Sequence, residues 1–327
     1  MTRWRDEDDV RARPTRGNTP RRSKDQPAHE TAIDGFVVTV DRGRITCALE
    51  NDHARRITAV KARGLGRKAV VVGDRVGLVG DITGNTGTLA RIVRRDERHS
   101  TLRRTADDSD AQERVIVANA DRIAIVAAAA NPEPRTGLID RCLVAAYTEH
   151  MDALIIVTKT DLSEPNPLID YYRPLGVPVF TSAQGSISAE LTHALSEGTT
   201  VLVGHSGVGK STLLNALVPE AQRRIGDVNV ITGRGRHTST SAEGWPLGDN
   251  GWVIDTPGIR SFGLAHVSAD AVIASFPTLA TAIEQCPRGC THDEPECALN
   301  GVAGSGGVGV DLVDSVRRLI RGIRAGQ

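Results

Sequence analysis

Aromatic residues are scarce, at 3% of the 327-residue chain, and no stretch is both long and apolar. The longest strongly apolar run, Ile123–Ala130, falls far short of the ~18 residues that span a bilayer. Residues 1–30 hold almost nothing apolar, so no secretory leader is read there, and Asp6, Glu7, Asp8 and Asp9 argue against a transit peptide. Neither sign of charge is in excess, since 40 Lys+Arg meet 40 Asp+Glu. A uniformly basic nucleic-acid coat is therefore excluded, and any polyanion contact must come from local patches. Cysteine is short as well: Cys47 and Cys142 lie alone in apolar patterns, while Cys286, Cys290 and Cys297 crowd around His292. An odd count with one tight cluster makes a poor disulfide framework and a good metal framework. The expectation is a soluble cytoplasmic protein with no membrane contact.

Residues 1–30 form a polar tail, with six bases and no acid between Arg11 and Lys24; so little apolar surface cannot offset the entropy of ordering. Residues 31–106 read as short strands broken by glycine. Phe36, Val38 and Val40 alternate, Asp41-Arg42-Gly43 turns, and Ile45, Cys47 and Leu49 alternate back, which is a hairpin pattern. Ala69–Val72, Asp74–Val79 and Thr88–Val93 continue the rhythm, and a small closed barrel of the OB type fits this size. Phe36 is its only aromatic, and six arginines against two acids lie between Arg91 and Arg104. Single-strand binders that stack bases need several rings, so an RNA contact here would rest on phosphates and shape. Residues 107–264 alternate strands and helices, the pattern of a doubly wound parallel sheet. Residues 265–327 hold the Cys/His cluster, a Gly301–Gly309 linker and a basic helix over Val310–Arg324 that is expected to pack on its own domain.

The segment Gly204-His205-Ser206-Gly207-Val208-Gly209-Lys210-Ser211, with Thr212 behind it, follows an apolar strand and opens a helix. Its glycines let backbone N–H groups curl round a triphosphate, Lys210 reaches the outer phosphates, and Ser211 holds Mg2+. A phosphate loop does not choose between ATP and GTP. The strand Ala153–Val157 ends in Thr158-Lys159-Thr160-Asp161, where a carboxylate can accept from the N1–H and 2-amino group of guanine. A site built for those donors rejects adenine by about ten-thousand-fold. The strand Val177–Phe180 runs into Thr181-Ser182-Ala183, where a backbone amide can cap the guanine oxygen. Asp255-Thr256-Pro257-Gly258 fits a switch: Asp255 for Mg2+ and the Gly258 amide for the γ-phosphate. Gly233–Ser241 offers Thr238, Ser239 or Thr240 as a second hydroxyl for Mg2+, Thr238 and Thr240 being assigned here.

Cys286-x3-Cys290-x-His292-x4-Cys297 supplies three thiolates and one imidazole, a closed tetrahedral shell for one structural Zn2+. The order of the other motifs is unusual, because Thr158–Asp161 and Ser182-Ala183 precede the phosphate loop. A circular permutation produces this order by cutting the same sheet at a different loop.

Together with Val72-Gly73-Asp74-Arg75-Val76 and Gly235-Arg236-His237-Thr238, these motifs make residues 33–300 resemble the circularly permuted small-ribosomal-subunit biogenesis GTPases of the RsgA type. The resemblance implies an OB-fold barrel, a permuted G domain and a zinc-binding helical domain. It also implies hydrolysis of GTP to GDP on the small ribosomal subunit and its rRNA, late in maturation and stimulated by that subunit; a monomer is the expectation. The family usually has Asn where Thr158 stands. Ile259 occupies the place after Gly258 where a water-orienting glutamine stands in other GTPases. Intrinsic turnover should then be slow, with His237 as the residue that orients water. A P-loop ATPase or kinase, and an RNA scaffold with a structural nucleotide, are the other classes this sequence admits.

Overall fold

The computed structural model describes residues 31–41, 43–65, 69–105, 113–184, 186–221, 242–256, 267–304 and 310–324. Five strands open the chain: β1 (Ile33–Asp41), β2 (Arg44–Leu49), β3 (Asp52–Lys61), β4 (Arg75–Gly80) and β5 (Ala90–Arg95). They pair in the order β1-β2-β3-β5-β4, with β4 returning to β1, so the sheet closes on itself as an OB-type barrel. Val37, Ile45, Cys47, Ile57 and Ile92 fill the interior.

The alternation in β1 has a different meaning from the one its sequence suggests. Phe36 and Val38 do not face the barrel interior; Val37 does, and Phe36 and Val38 turn outward into the next domain's core. Both faces of β1 are buried between Gly35 and Val38 because two cores share it. Ala69–Val72, expected as a strand, contributes only a single bridge from Val72 to Val117. Asp74 explains why this stretch is irregular. It is fully buried, accepts from the Val71 amide at 2.7 Å, and pairs with Arg98 through two contacts of 2.7 and 2.8 Å. Arg98 therefore belongs to the barrel's internal framework, and Arg94 is likewise engaged by Asp34 and Asp96.

A two-stranded ribbon, β6 (Thr101–Thr105) with β7 (Glu113–Ala118), leads to the second unit. There β8 (Arg122–Ala128), α1 (Thr136–Thr148), β9 (Asp152–Thr158), α2 (Asn166–Tyr172), β10 (Val179–Ser182), α3 (Ala189–Leu195), β11 (Glu197–Val203), α4 (Lys210–Leu217), β12 (Glu243–Leu247) and β13 (Asn250–Asp255) follow in turn. The sheet order is β10-β9-β8-β11-β13-β12, parallel except for β12. Runs such as Ile123–Val126 and Leu154–Val157 are buried on both faces, as crossover helices require. β12 also pairs with β1 of the barrel, Thr39 opposite Glu243, so the two units share one continuous sheet. Phe36 stacks on Trp252 at 4.3 Å across that joint, a contact worth ~1 kcal/mol beyond area burial.

Helices α5 (Ala269–Ile273), α6 (Pro277–Ile283), α7 (Leu299–Gly304) and α8 (Val310–Arg324) complete the chain. The start of the expected glycine linker is thus helical, through Gly304. Helix α8 has its expected bounds, but it does not pack on its own domain alone. Its apolar side joins the core of α1, and Arg318 donates to Asp140 of α1 at 3.1 Å while lying 4.0 Å over the Tyr171 ring.

Candidate functional site

The carboxyl ends of β10, β9, β11 and β13, with β8 between β9 and β11, bring the motifs together, where open parallel sheets bind ligands. Thr158 stands beside Ser182 across β9 and β10, and Asp255 beside Leu202 across β13 and β11. The phosphate loop leaves β11 through Gly204 at φ 155°, where a Cβ would overlap the Val126 carbonyl. It enters α4 through Gly209 at φ 97°, a left-handed value that side chains rarely adopt. Lys210 is buried and folds back along the loop, donating to the carbonyls of Gly204 at 2.5 Å and His205 at 3.0 Å. Burial lowers its pKa, while Asp255 works in the other direction. Ser206 and Gly207 sit exposed at the rim, and Ser211 and Thr212 at the start of α4 are also exposed.

A cavity of about 300 Å³ lies beside the loop. Thr158, Lys159, Asp161, Ser182 and Ala183 line one side, and Gly209 and Thr212 the other. Thr160 lies between the lining residues without forming part of the wall. The Thr158 hydroxyl donates to the Val208 carbonyl at 2.5 Å, with the Ala127 oxygen at 3.2 Å. Lys159, at φ 57°, reaches over the loop to the carbonyls of Asn131 and, at 2.8 Å, Gly207. The Ser182 hydroxyl donates to the Ser186 carbonyl at 2.8 Å and closes the turn that presents Ala183. Asp161 is exposed at the mouth. Leu162, Gln184 and Ile187 complete the lining. Leu162 was recoverable from its place after Asp161, whereas nothing in the sequence pattern marks Gln184 or Ile187. A larger hollow of about 720 Å³ at the opposite, amino ends of the strands, lined by Arg122, Tyr147, His150 and Phe276 among others, contains none of the motif residues.

Asp255 ends β13 with its Oδ1 buried and without a hydrogen-bond partner. Burial, opposed by Lys210 and assisted by Glu243, pushes its pKa up to about 6. An orphaned carboxylate oxygen next to a phosphate loop suits a hard cation such as Mg2+. Thr256 anchors the strand end by donating to the Leu202 carbonyl at 2.7 Å. His237, Thr238, Ser239, Thr240, Gly258 and Ile259 lie outside the described residues.

In the C-terminal region the ligating atoms of Cys286, Cys290, His292 and Cys297 all lie within 4.8 Å of one another. His292 Nδ1 is 3.8 Å from Cys286 Sγ and 3.9 Å from Cys297 Sγ, and those two sulfurs are 3.9 Å apart. Such edges suit a tetrahedron with bonds of ~2.3 Å to sulfur, so the donor set fits Zn2+. The other ring nitrogen of His292 lies 2.9 Å from Asp270, the carboxylate–imidazole arrangement that fixes the orientation of a ligating histidine. Helix α8 braces the loop: Arg317 donates to the His292 carbonyl at 2.7 Å, and Arg321 pairs with Asp293 at 2.8 Å.

A phosphate loop and a magnesium-type aspartate on adjacent parallel strands, with a base cavity on the strands that precede them in the chain, define a circularly permuted P-loop GTPase. The chain belongs to the RsgA GTPase family, whose sequence model matches residues 95–265. It is a GTP hydrolase, and use of guanine nucleotide and Mg2+ comes with that family. Its curated relatives include the small ribosomal subunit biogenesis GTPase RsgA of Pseudomonas aeruginosa (strain LESB58), 41% identical over 241 residues, covering 71% of this chain and 69% of the relative. The protein of that name from Pseudomonas fluorescens (strain SBW25) is 38% identical over 283 residues, covering 84% and 80%. Among solved structures, YloQ, a circularly permuted GTPase, superposes with a TM-score of 0.65 at 23% identity, covering 92% of this chain and 98% of that one. YjeQ from Thermotoga maritima gives 0.63 at 25% identity, covering 89% and 98%.

Proposed function

We propose that this GTPase acts in maturation of the small ribosomal subunit and that the subunit stimulates its hydrolysis of GTP. The nucleotide part of this reading is carried by the cavity that Asp161 lines on one side and Gly209 and Thr212 on the other, and the ribosomal part by the relatives named small ribosomal subunit biogenesis GTPase RsgA. Asp161 would accept from guanine, Lys159 would cover the base, and the Ala183 turn would meet the guanine oxygen. The backbone of Gly204–Gly209 and the Lys210 ammonium would hold the phosphates. Ser211 and Asp255, with Thr238 or Thr240, would hold Mg2+, which supplies charge neutralisation at the β- and γ-phosphates. Water attacks the γ-phosphorus as the bond to the bridging oxygen breaks, and GDP and phosphate leave. With Ile259 unable to orient that water, His237 is the residue we assign to it when the subunit is bound.

The barrel supplies the RNA contact in this reading. Its one aromatic is buried against Trp252, so no ring is available there for base stacking. Its outer face carries exposed Arg44 and Arg91 with Thr46 opposite Thr58, which suits phosphates. The Cys3His cluster would hold one structural Zn2+, keeping α5–α8 together as a second contact surface.

The test is single-turnover GTP hydrolysis with and without small subunits, for the unaltered chain and His237→Ala. Stimulation in the first and its loss in the second is the expected result. Absence of stimulation in the unaltered chain would overturn the ribosomal reading, and equal stimulation in both would remove His237 from the mechanism.

A further inference from the structure

Glu243 is the first residue of β12, and in the antiparallel pair with β13 it stands directly opposite Asp255. Residues so placed project from the same face of the sheet, with Cβ atoms roughly 4.5–5.5 Å apart. On its other edge Glu243 is the register partner of Thr39 in the barrel. Its backbone is therefore fixed from both sides, and its half-buried side chain starts from a set position beside Asp255. The negative charge of Glu243 acts on the Asp255 carboxyl.

Two like charges directly opposite each other destabilise a ladder, and burial of Asp255 sharpens the repulsion by lowering the local dielectric. Lys210 sets its positive charge against Asp255, and a bound nucleotide adds several negative ones. Asp255 Oδ1 meanwhile has no partner. A divalent cation held by Asp255 would meet favourable charge from both carboxylates.

We infer that Glu243 is a positioning residue of the magnesium site, its carboxylate reinforcing the hold of Asp255 on Mg2+ from the β12 side. This rests on the assignment of Asp255 to Mg2+. Mg2+ keeps several of its own waters, so a carboxylate outside the direct ligand set can act on it through them. The same strand pairs with the barrel through Thr39, so the ion would sit beside the joint between the barrel and the G-domain sheet.

The experiment follows release of a fluorescent GDP analogue from the full-length protein as free Mg2+ is varied, for the unaltered chain, Glu243→Gln, Glu243→Asp and Asp255→Asn. Outer carboxylates of metal sites are worth about tenfold or more in metal affinity. Glu243→Gln should therefore raise the Mg2+ concentration that half-retains nucleotide by about tenfold. Its release rate in excess chelator should match that of the unaltered chain, and Glu243→Asp should restore part of the loss. If Asp255→Asn weakens Mg2+ retention and Glu243→Gln does not, the inference fails and the Asp255 assignment stands. If neither does, the Asp255 assignment fails and takes the inference with it. If Glu243→Gln speeds release equally with and without Mg2+, its effect runs through the fold, and the inference is overturned.

Discussion

The hydroxyl of Thr158 donates to the carbonyl of Val208 at 2.5 Å, tying the end of the guanine strand to the phosphate loop. Both groups are buried, and the bond couples the two halves of the nucleotide site through a single proton. Removing it with the isosteric Thr158→Val leaves the Val208 carbonyl unpaired, at a cost of about 1–3 kcal/mol. Nucleotide affinity, measured by calorimetry with GDP, should fall by roughly tenfold or more, with no change in the preference for guanine over adenine.

In the proposed reading Asp161 carries the preference for guanine. Asp161→Asn replaces an acceptor with an amide that suits a base carrying oxygen at C2, so GTP binding should weaken and xanthosine triphosphate binding improve. Competition against a labelled nucleotide checks this. An unchanged order of affinities would remove Asp161 from the base site.

The pH dependence of stability follows from Asp255. Its folded pKa, raised to about 6 mainly by burial, lies above its ordinary value of 3.8. Charge on this group therefore opposes folding above pH ~6, and the penalty fades as the pH falls toward the unfolded value. Without nucleotide or Mg2+, Asp255→Asn should be more stable than the unaltered chain at pH 7.5, by about 1–3 kcal/mol. The gap should narrow by pH 5. Urea midpoints at the two pH values measure it.

Metal removal should act on the C-terminal region before the barrel. One zinc per chain is expected by elemental analysis, with Cys297→Ser losing it. Arg317 and Arg321 hold the metal loop to α8, so loss of the metal should free that helix as well as the loop. Limited proteolysis after chelation should cut within residues 277–304 while leaving the barrel fragment intact.

The strands β8, β9, β11 and β13 were legible because they are runs of apolar residues buried on both faces, each followed by a motif whose residue types have few other uses. The hairpin of β1 and β2 was legible in place but not in orientation: alternation marks two faces without saying which one meets which core. Phe36 and Val38 were read only as one alternating face, and that face holds the barrel to the G domain, with Phe36 stacked on Trp252 far along the chain. Strands β3, β6, β7 and β12 are polar or short and gave no periodic signal strong enough to read. Of the arginines between Arg91 and Arg104, only the structure shows that Arg98 turns inward to pair with the fully buried Asp74.

Chemistry written in short contiguous motifs was readable from the sequence: a phosphate loop, the carboxylate proposed for guanine, a Cys3His donor set, and the permuted order that joins them. Each depends on residue type and local spacing, which the chain carries with it. Tertiary structure decided what depends on strand register and on packing between distant segments. It set Thr158 against Val208, placed Glu243 opposite Asp255, laid α8 across α1, and joined the barrel to the G-domain sheet through Thr39 and Glu243. Those contacts arise from backbone pairing and shared burial between residues from about a dozen to about two hundred positions apart, and no local pattern encodes them.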